Sequence, residues 1–355
     1  MSKLKYIFVH GLSGWGSYDE AYRKTPYWGM RNGDLMVQLR QLGYDSYAAS
    51  VAPHDSAYDR ACELYAQLTG TVTDYGRKHA EKYGHDRFGR DFTGKPLIPE
   101  FNENTRLVLF GHSFGGTTIR IFAHIMEHGC PLEDDEDCSP FFKGGMGNRI
   151  FALYTVATPH NGTTAYDMYD DPNFDVSKVK VPFLAKKASK MLSERNTPTK
   201  PQHPEDCAAY DMHIDNALRY NSEWPLSENI YYFSQPCEMT QKKADGTYYP
   251  ITMQMELMFQ SASRRIGAYK GKTQGGFIID ESWRENDGLV NTVSEAWPLN
   301  NDHRKFNDKH IEKGKWNVLD TYHGDHMSLQ GGLLHRNKIF SYYLKKVVMI
   351  ARLDK

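Results

Sequence analysis

The stretch Leu107-Val-Leu-Phe-Gly-His-Ser-Phe-Gly-Gly116 restricts the folds open to this chain more than any other. Four apolar residues of strand-forming type run into Gly111-His-Ser113-Phe-Gly115, and from Thr117 to Met126 apolar positions recur at helical spacing. The order is strand, sharp turn, helix, with a serine at the apex. A serine between two glycines fits a strained strand-to-helix corner, where its hydroxyl stands clear of a sheet and close to a helix N-terminus. The glycines keep Cβ atoms out of the crossing. An ordinary joint with a serine cap has the same letters, but the flanking strand and helix point to a nucleophile.

The remainder of the chain alternates strand and helix patterns. Gly33–Leu42 reads as an amphipathic helix, and Asp45–Val51, Arg149–Val156, Asn229–Ser234 and, more weakly, Trp316–Thr321 read as strands. Such alternation implies an α/β fold, a mostly parallel sheet wrapped by helices. The expectation is one domain over residues 1–355, with an insertion at 52–104 that is too long for a plain crossover. A second insertion is expected at 160–228, where lysines, prolines and asparagines surround the amphipathic patch Val181–Leu192. The second is read as a cap over the sheet's active edge, either a mobile lid or a fixed helical cover. The Met-rich run Thr252–Phe259 is read as core packing, with adaptable acyl-chain contact as the alternative.

With 40% hydrophobic residues the chain has ample material for a core, and its formal net charge of −1 excludes a nucleic-acid partner held by bulk electrostatics. No apolar run approaches the ~18 residues of a membrane span. Met1–Lys5 leads directly into a strand without a cleavable leader pattern. Cys130 and Cys138 bracket an acidic loop, either as a pair or as free thiols.

A serine nucleophile needs a base, an orienting acid and an oxyanion hole. The hole is expected from the backbone N–H groups of Phe114, the residue after the serine, and Leu12, in the glycine-rich loop His10–Gly16 after the first strand. In folds of this topology the acid and then the histidine follow the serine along the chain. Asp287 stands in a tight turn between apolar runs, and His326 follows the last strand. His323 is a rival base, and Asp325 and Asp320 are rival acids. Asp287 is preferred because an aspartate adjacent to the histidine does not easily curl onto it. His79 and His85 are chemically suited to zinc, but six residues is not a same-face helical spacing. A metal site therefore requires the turn at Gly84 to swing His85 back, and solvated surface histidines are the alternative.

Taken together, several stretches resemble the lipases of the Geobacillus and staphylococcal group, bacterial lipase family I.5. They are His10–Gly16, Tyr58–Glu63, Val72–Gly76 through His79, His85–Arg90, Ala157–His160, Trp283–Ser294 and Gly314–Asn317. The resemblance implies an α/β-hydrolase fold, secretion, and an ester or lipid substrate, met at a lipid–water or polymer surface. It places the triad on Ser113, Asp287 and His326, and a closed structural Zn2+ site on Asp59, His79, His85 and Asp206. The chain departs from the family at Gly111 and Phe114, where alanine and glutamine are usual. Ser328 and Gln330-Gly-Gly-Leu333 lack the acidic residues of the family's calcium site, so calcium is not expected there. The function implied is a carboxylic ester hydrolase acting through an acyl-enzyme. An acyltransferase or an amidase or peptidase with the same triad, or a non-catalytic binding protein on this scaffold, are the alternatives.

Overall fold

The computed structural model describes residues 4–195, 203–332, 334 and 339–354. A seven-stranded sheet runs through it, formed by β1 (Leu4–Val9), β2 (Ser46–Ala49), β3 (Arg106–His112), β4 (Ile150–Val156), β5 (Tyr231–Gln235), β6 (His303–Lys305) and β7 (Trp316–Val318). The spatial order is β6-β7-β5-β4-β3-β1-β2, and each neighbouring pair is parallel. The order reverses beside β1. In open parallel sheets, loops at such a reversal splay apart at the carboxyl ends of the strands and leave a crevice.

The sequence of β1 explains why helices must cover both faces. Side chains alternate across a strand, and here both sets are apolar. Ile7 and Val9 enter one core with Ala61, Leu64, Ile119 and Phe122, from helices Ala57–Thr69 and Phe114–His128. Leu4, Tyr6 and Phe8 enter a second core with Leu35, Leu39, Tyr343 and Val347, from helices Leu35–Gln41 and Ile339–Ala351. A strand buried on both faces reads as an uninterrupted apolar run.

Two features differ from what the residue pattern suggests. β6 is His-Arg-Lys at the sheet edge, largely exposed, and has no apolar alternation to announce it. Within 52–104, helix Ala57–Thr69 belongs to the main core. The hairpin Val72–Asp74 with Phe88–Asp91 stands apart from it and encloses helix Arg77–Tyr83. Between β4 and β5 the chain forms helices Thr164–Asp167, Phe183–Arg195, Ala208–Asp211 and Ile214–Glu223. Phe183, Leu184 and Met191 on the second of these are exposed, while Leu192 packs against buried Met239, Met255 and Phe259. All five cysteines are free, Cys130 and Cys138 included.

Candidate active site and metal centre

β3 ends at His112, and helix Phe114–His128 begins one residue after Ser113, so Ser113 alone makes the corner. Its backbone lies at φ 53° and ψ −129°, a strained conformation for a non-glycine residue. The glycines earn this turn by their lack of side chains. A Cβ on Gly111 would lie 2.6 Å from Gly115 O, and one on Gly115 would lie 2.6 Å from His10 O and closer still to Val9 O. The elbow therefore presses directly against the end of β1 and the loop that follows it.

Ser113 Oγ lies 2.9 Å from His326 Nε2, and His326 Nδ1 lies 2.5 Å from Asp287 Oδ2. All three side chains are buried or nearly so. The other carboxylate oxygen of Asp287 accepts the N–H groups of Leu289 (3.0 Å) and Val290 (2.9 Å), and the His326 N–H donates to Asp287 O at 2.9 Å. The carboxylate is thus fixed by its own turn, with one oxygen left for the imidazole. The rivals lie elsewhere. Exposed His323 pairs with Glu238, exposed Asp320 with Lys305, and Asp325 accepts Ser328 Oγ and the Glu256 N–H.

A second chain of hydrogen bonds runs behind the serine, and its protons have one consistent assignment. His326 O can only accept, so His112 Nε2 carries the proton that it receives at 2.9 Å. The neutral ring then has a bare Nδ1, to which the Tyr27 hydroxyl donates at 2.6 Å. The Tyr27 oxygen in turn accepts the Gly11 N–H at 3.1 Å. Burial holds the His112 pKa well below its ordinary value, with the nearby His326 adding to the effect, in keeping with a neutral ring. With the Gly11 N–H taken, the next one along the loop, the Leu12 N–H, is left without an acceptor. Among the described residues neither that N–H nor the Phe114 N–H meets an acceptor within the molecule.

A further residue not singled out in the sequence supports this loop. Arg60, fully buried, donates from Nη2 to His10 O, and its guanidinium lies 4.9 Å from the centroid of the Phe114 ring. The Phe114 side chain thus points into the core beneath the His10–Gly16 loop, whereas its neighbourhood to the serine suggests an apolar lining of an acyl entrance. Phe259 meets the edge of the His326 ring at 6.3 Å, with Met255 packed beside it.

At the hairpin, Asp59, His79, His85 and Asp206 place four ligand atoms within 4.8 Å of one another. The Gly84 backbone, in the left-handed region at φ 73°, turns the chain so that His85 returns to the side of His79. His79 Nε2 is 3.0 Å from Asp59 Oδ1 and 3.4 Å from Asp206 Oδ2, and His85 Nε2 is 3.4 Å from Asp206 Oδ2. Tetrahedral bonds of about 2.0–2.1 Å require ligand separations of roughly 3.3 Å. His85 Nδ1 lies 2.9 Å from Asp86 O, to which only an N–H can bond, leaving a lone pair on Nε2. Both Nε2 atoms and Asp59 Oδ1 are buried, and despite these short approaches none of them meets a partner in hydrogen-bond geometry. Such a donor set fits a divalent cation.

The family model described as "Lipase-like, C-terminal domain" matches residues 2–183 and 192–337. The chain belongs to this lipase family. It is 33% identical to a lipase of Staphylococcus epidermidis and 31% identical to lipase 1 of Staphylococcus aureus, each match covering 92% of this chain. The chain spans about half the length of these relatives, 49% and 50%. Among solved structures, EstA from Clostridium botulinum superposes with a TM-score of 0.84 at 26% identity, covering 100% of this chain and 89% of that one. Staphylococcus hyicus lipase superposes with a TM-score of 0.80 at 27% identity, covering 99% and 97%. The fold is that of the α/β-hydrolase lipases.

Proposed function

We propose that this protein is a carboxylic ester hydrolase of the lipase type, with Ser113, His326 and Asp287 as its triad. The observation that carries the reading is the two-step hydrogen-bonded chain from Asp287 Oδ2 through His326 to Ser113 Oγ. His326 Nε2 takes the hydroxyl proton as Ser113 Oγ attacks the acyl carbon, and the Leu12 and Phe114 N–H groups hold the oxyanion. Asp287 keeps Nδ1 protonated and stabilises the imidazolium. The alcohol leaves with the proton from His326, and a water, deprotonated by the same nitrogen, releases the acid. The substrate is an ester or lipid, as it is for lipases such as those it resembles in Staphylococcus epidermidis and Staphylococcus hyicus. Replacing Ser113 by Ala is expected to abolish hydrolysis of a p-nitrophenyl ester, and unchanged hydrolysis would refute the assignment.

Zinc is the cation proposed for Asp59, His79, His85 and Asp206. Four protein ligands leave no open position, so the metal supplies cross-linking rather than chemistry. Bound there, it would tie helix Ala57–Thr69 and the hairpin to Asp206, in the segment between β4 and β5. Metal analysis of protein prepared without chelator tests this, and absence of zinc would sink it. Within 52–104, the hairpin Val72–Asp74 with Phe88–Asp91 and its helix Arg77–Tyr83 are thereby read as the metal-binding insertion, and 160–228 as the cap. Helix Phe183–Arg195 serves as the cover, since Leu192 packs on the Met255 and Phe259 cluster next to His326.

A further inference from the structure

Beside Asp287 lies a second carboxyl group that the mechanism does not use. Glu295 sits on the short helix Thr292–Ala296 and is buried, with 1% of its surface exposed. Its Oε2 accepts the Cys237 N–H at 2.6 Å. Its Oε1 is sealed from solvent and receives no N–H or O–H group. The Glu295 and Asp287 carboxyls lie within hydrogen-bond reach of each other. Two buried carboxylates do not share such a contact without a proton between them.

Asp287 cannot be the group that holds this proton. One of its oxygens accepts two backbone N–H groups and the other faces the imidazole, an arrangement that favours the charged form. Glu295 has the complementary surroundings, with one oxygen satisfied by an N–H and the other bare. We propose that Glu295 is a neutral carboxylic acid whose Oε1–H donates to Asp287, which makes it a positioning residue for the triad. This rests on the triad reading above. Burial drives the Glu295 pKa far upward, and the Asp287 charge adds to it. The titratable neighbours on the strand packed against it are the Cys237 thiol, itself pushed up by burial, and Glu238, with Asp325 acting on the same thiol. Every charged group in this set is negative, so none favours an ionised Glu295.

The geometry distinguishes glutamine from every other replacement. In Glu295→Gln the amide oxygen can still accept from the Cys237 N–H while the NH2 donates to Asp287, so both hydrogen bonds survive without a charge change. Glu295→Met loses both.

The test compares the pH profile of kcat/KM for a soluble p-nitrophenyl ester across wild type, E295M, E295Q and S113A. The expected result is a fall of about tenfold in E295M, the equivalent of one hydrogen bond in the transition state, with its acid limb moved to higher pH. E295Q is expected to rescue both. An E295Q acid limb shifted to lower pH by about one unit would mean that wild-type Glu295 is ionised, and would overturn the proposal. An E295M profile equal to wild type would overturn it too. Should E295M not fold, the wild-type minus E295Q infrared difference spectrum at neutral pH decides. A protonated-carboxyl stretch in wild type supports the proposal, and its absence refutes it. Activity retained in S113A would instead refute the triad itself.

Discussion

The Tyr27 hydroxyl stands between two loops, 2.6 Å from His112 Nδ1 and 3.1 Å from the Gly11 N–H. It joins the His10–Gly16 loop to the residue before Ser113, and through His112 Nε2 to the backbone of His326. Tyr27→Phe keeps the ring packing and removes this join. Two buried groups then lack a partner, at a cost of about 1–3 kcal/mol each. The expected outcome is a lower urea midpoint and a kcat reduced about tenfold with little change in KM, because the Leu12 N–H loses its fixed aim. An unchanged kcat in a destabilised variant would confine Tyr27 to packing.

Asp287→Asn separates orientation from fold. The asparagine oxygen can still accept from Leu289 and Val290, whereas its NH2 faces the imidazole and reverses the tautomer. A loss of about 10⁴ in kcat is expected, on the scale of the same change in other triads. Circular dichroism and melting temperature should stay close to wild type. A loss of tenfold or less would point to another acid.

Removal of the metal is expected to act on stability first. A ligand present at about a thousand times its Kd adds roughly 4 kcal/mol, which for a chain of this size is a melting shift of about 5–10 °C. Chelation should produce that shift, and Asp206→Ala should reproduce it with no further response to chelator. Since none of the four ligands belongs to the triad, initial rates well below the melting range are expected to persist. Calorimetry with and without chelator, beside initial rates at low temperature, checks both halves.

Acid stability is governed partly by His10. Its Nδ1–H donates to Gly11 O at 2.9 Å, and its Nε2 accepts the Val51 N–H. Burial, helped by Arg60, holds its pKa down to about 3, against an ordinary value of 6.5. His112 and His160 are displaced in the same direction by burial. The unfolded chain takes up these protons as pH falls below 6.5, while at His10 the folded chain refuses its proton until about 3. Stability present above pH 6.5 is therefore lost between pH 6.5 and about 3, by at most about 1.4 kcal/mol per pH unit for each histidine. Urea midpoints at pH 7, 5.5 and 4.5, with chelator present throughout, should fall in that order. A flat series would contradict it.

Much of this site is written in local residue order. Gly111-His-Ser113-Phe-Gly115 marks its own corner because a nucleophile elbow needs glycine at fixed offsets, and Asp287, in a tight turn between apolar runs, and His326, after the last strand, stand out because they follow the serine in the right order. The proposed zinc ligands are less legible. The turn at Gly84 is needed to bring His85 round, and Asp206 enters from 121 residues further on (206 − 85). Arg60, Tyr27 and Glu295 leave no signal at all. Arg60 and Glu295 look like solvated charges in amphipathic stretches, and only the fold puts them at 0% and 1% exposure. Phe114 shows the opposite failing. Its place beside the serine suggests an entrance lining, whereas the helix turns its ring into the core.

The sheet's connectivity also sets when the site comes into being. Ser113 is separated by 213 residues from the histidine that activates it, and that histidine by 39 from its aspartate. Every strand pairing in the sheet is parallel, so each depends on a long crossover that must close before its contacts return any energy. During synthesis the elbow emerges long before Asp287 and His326. The nucleophile's corner can form on the nascent chain, but its base is still missing. The proposed esterase activity is therefore expected late in folding, and refolding assays should show it recovering after the helical signal rather than with it.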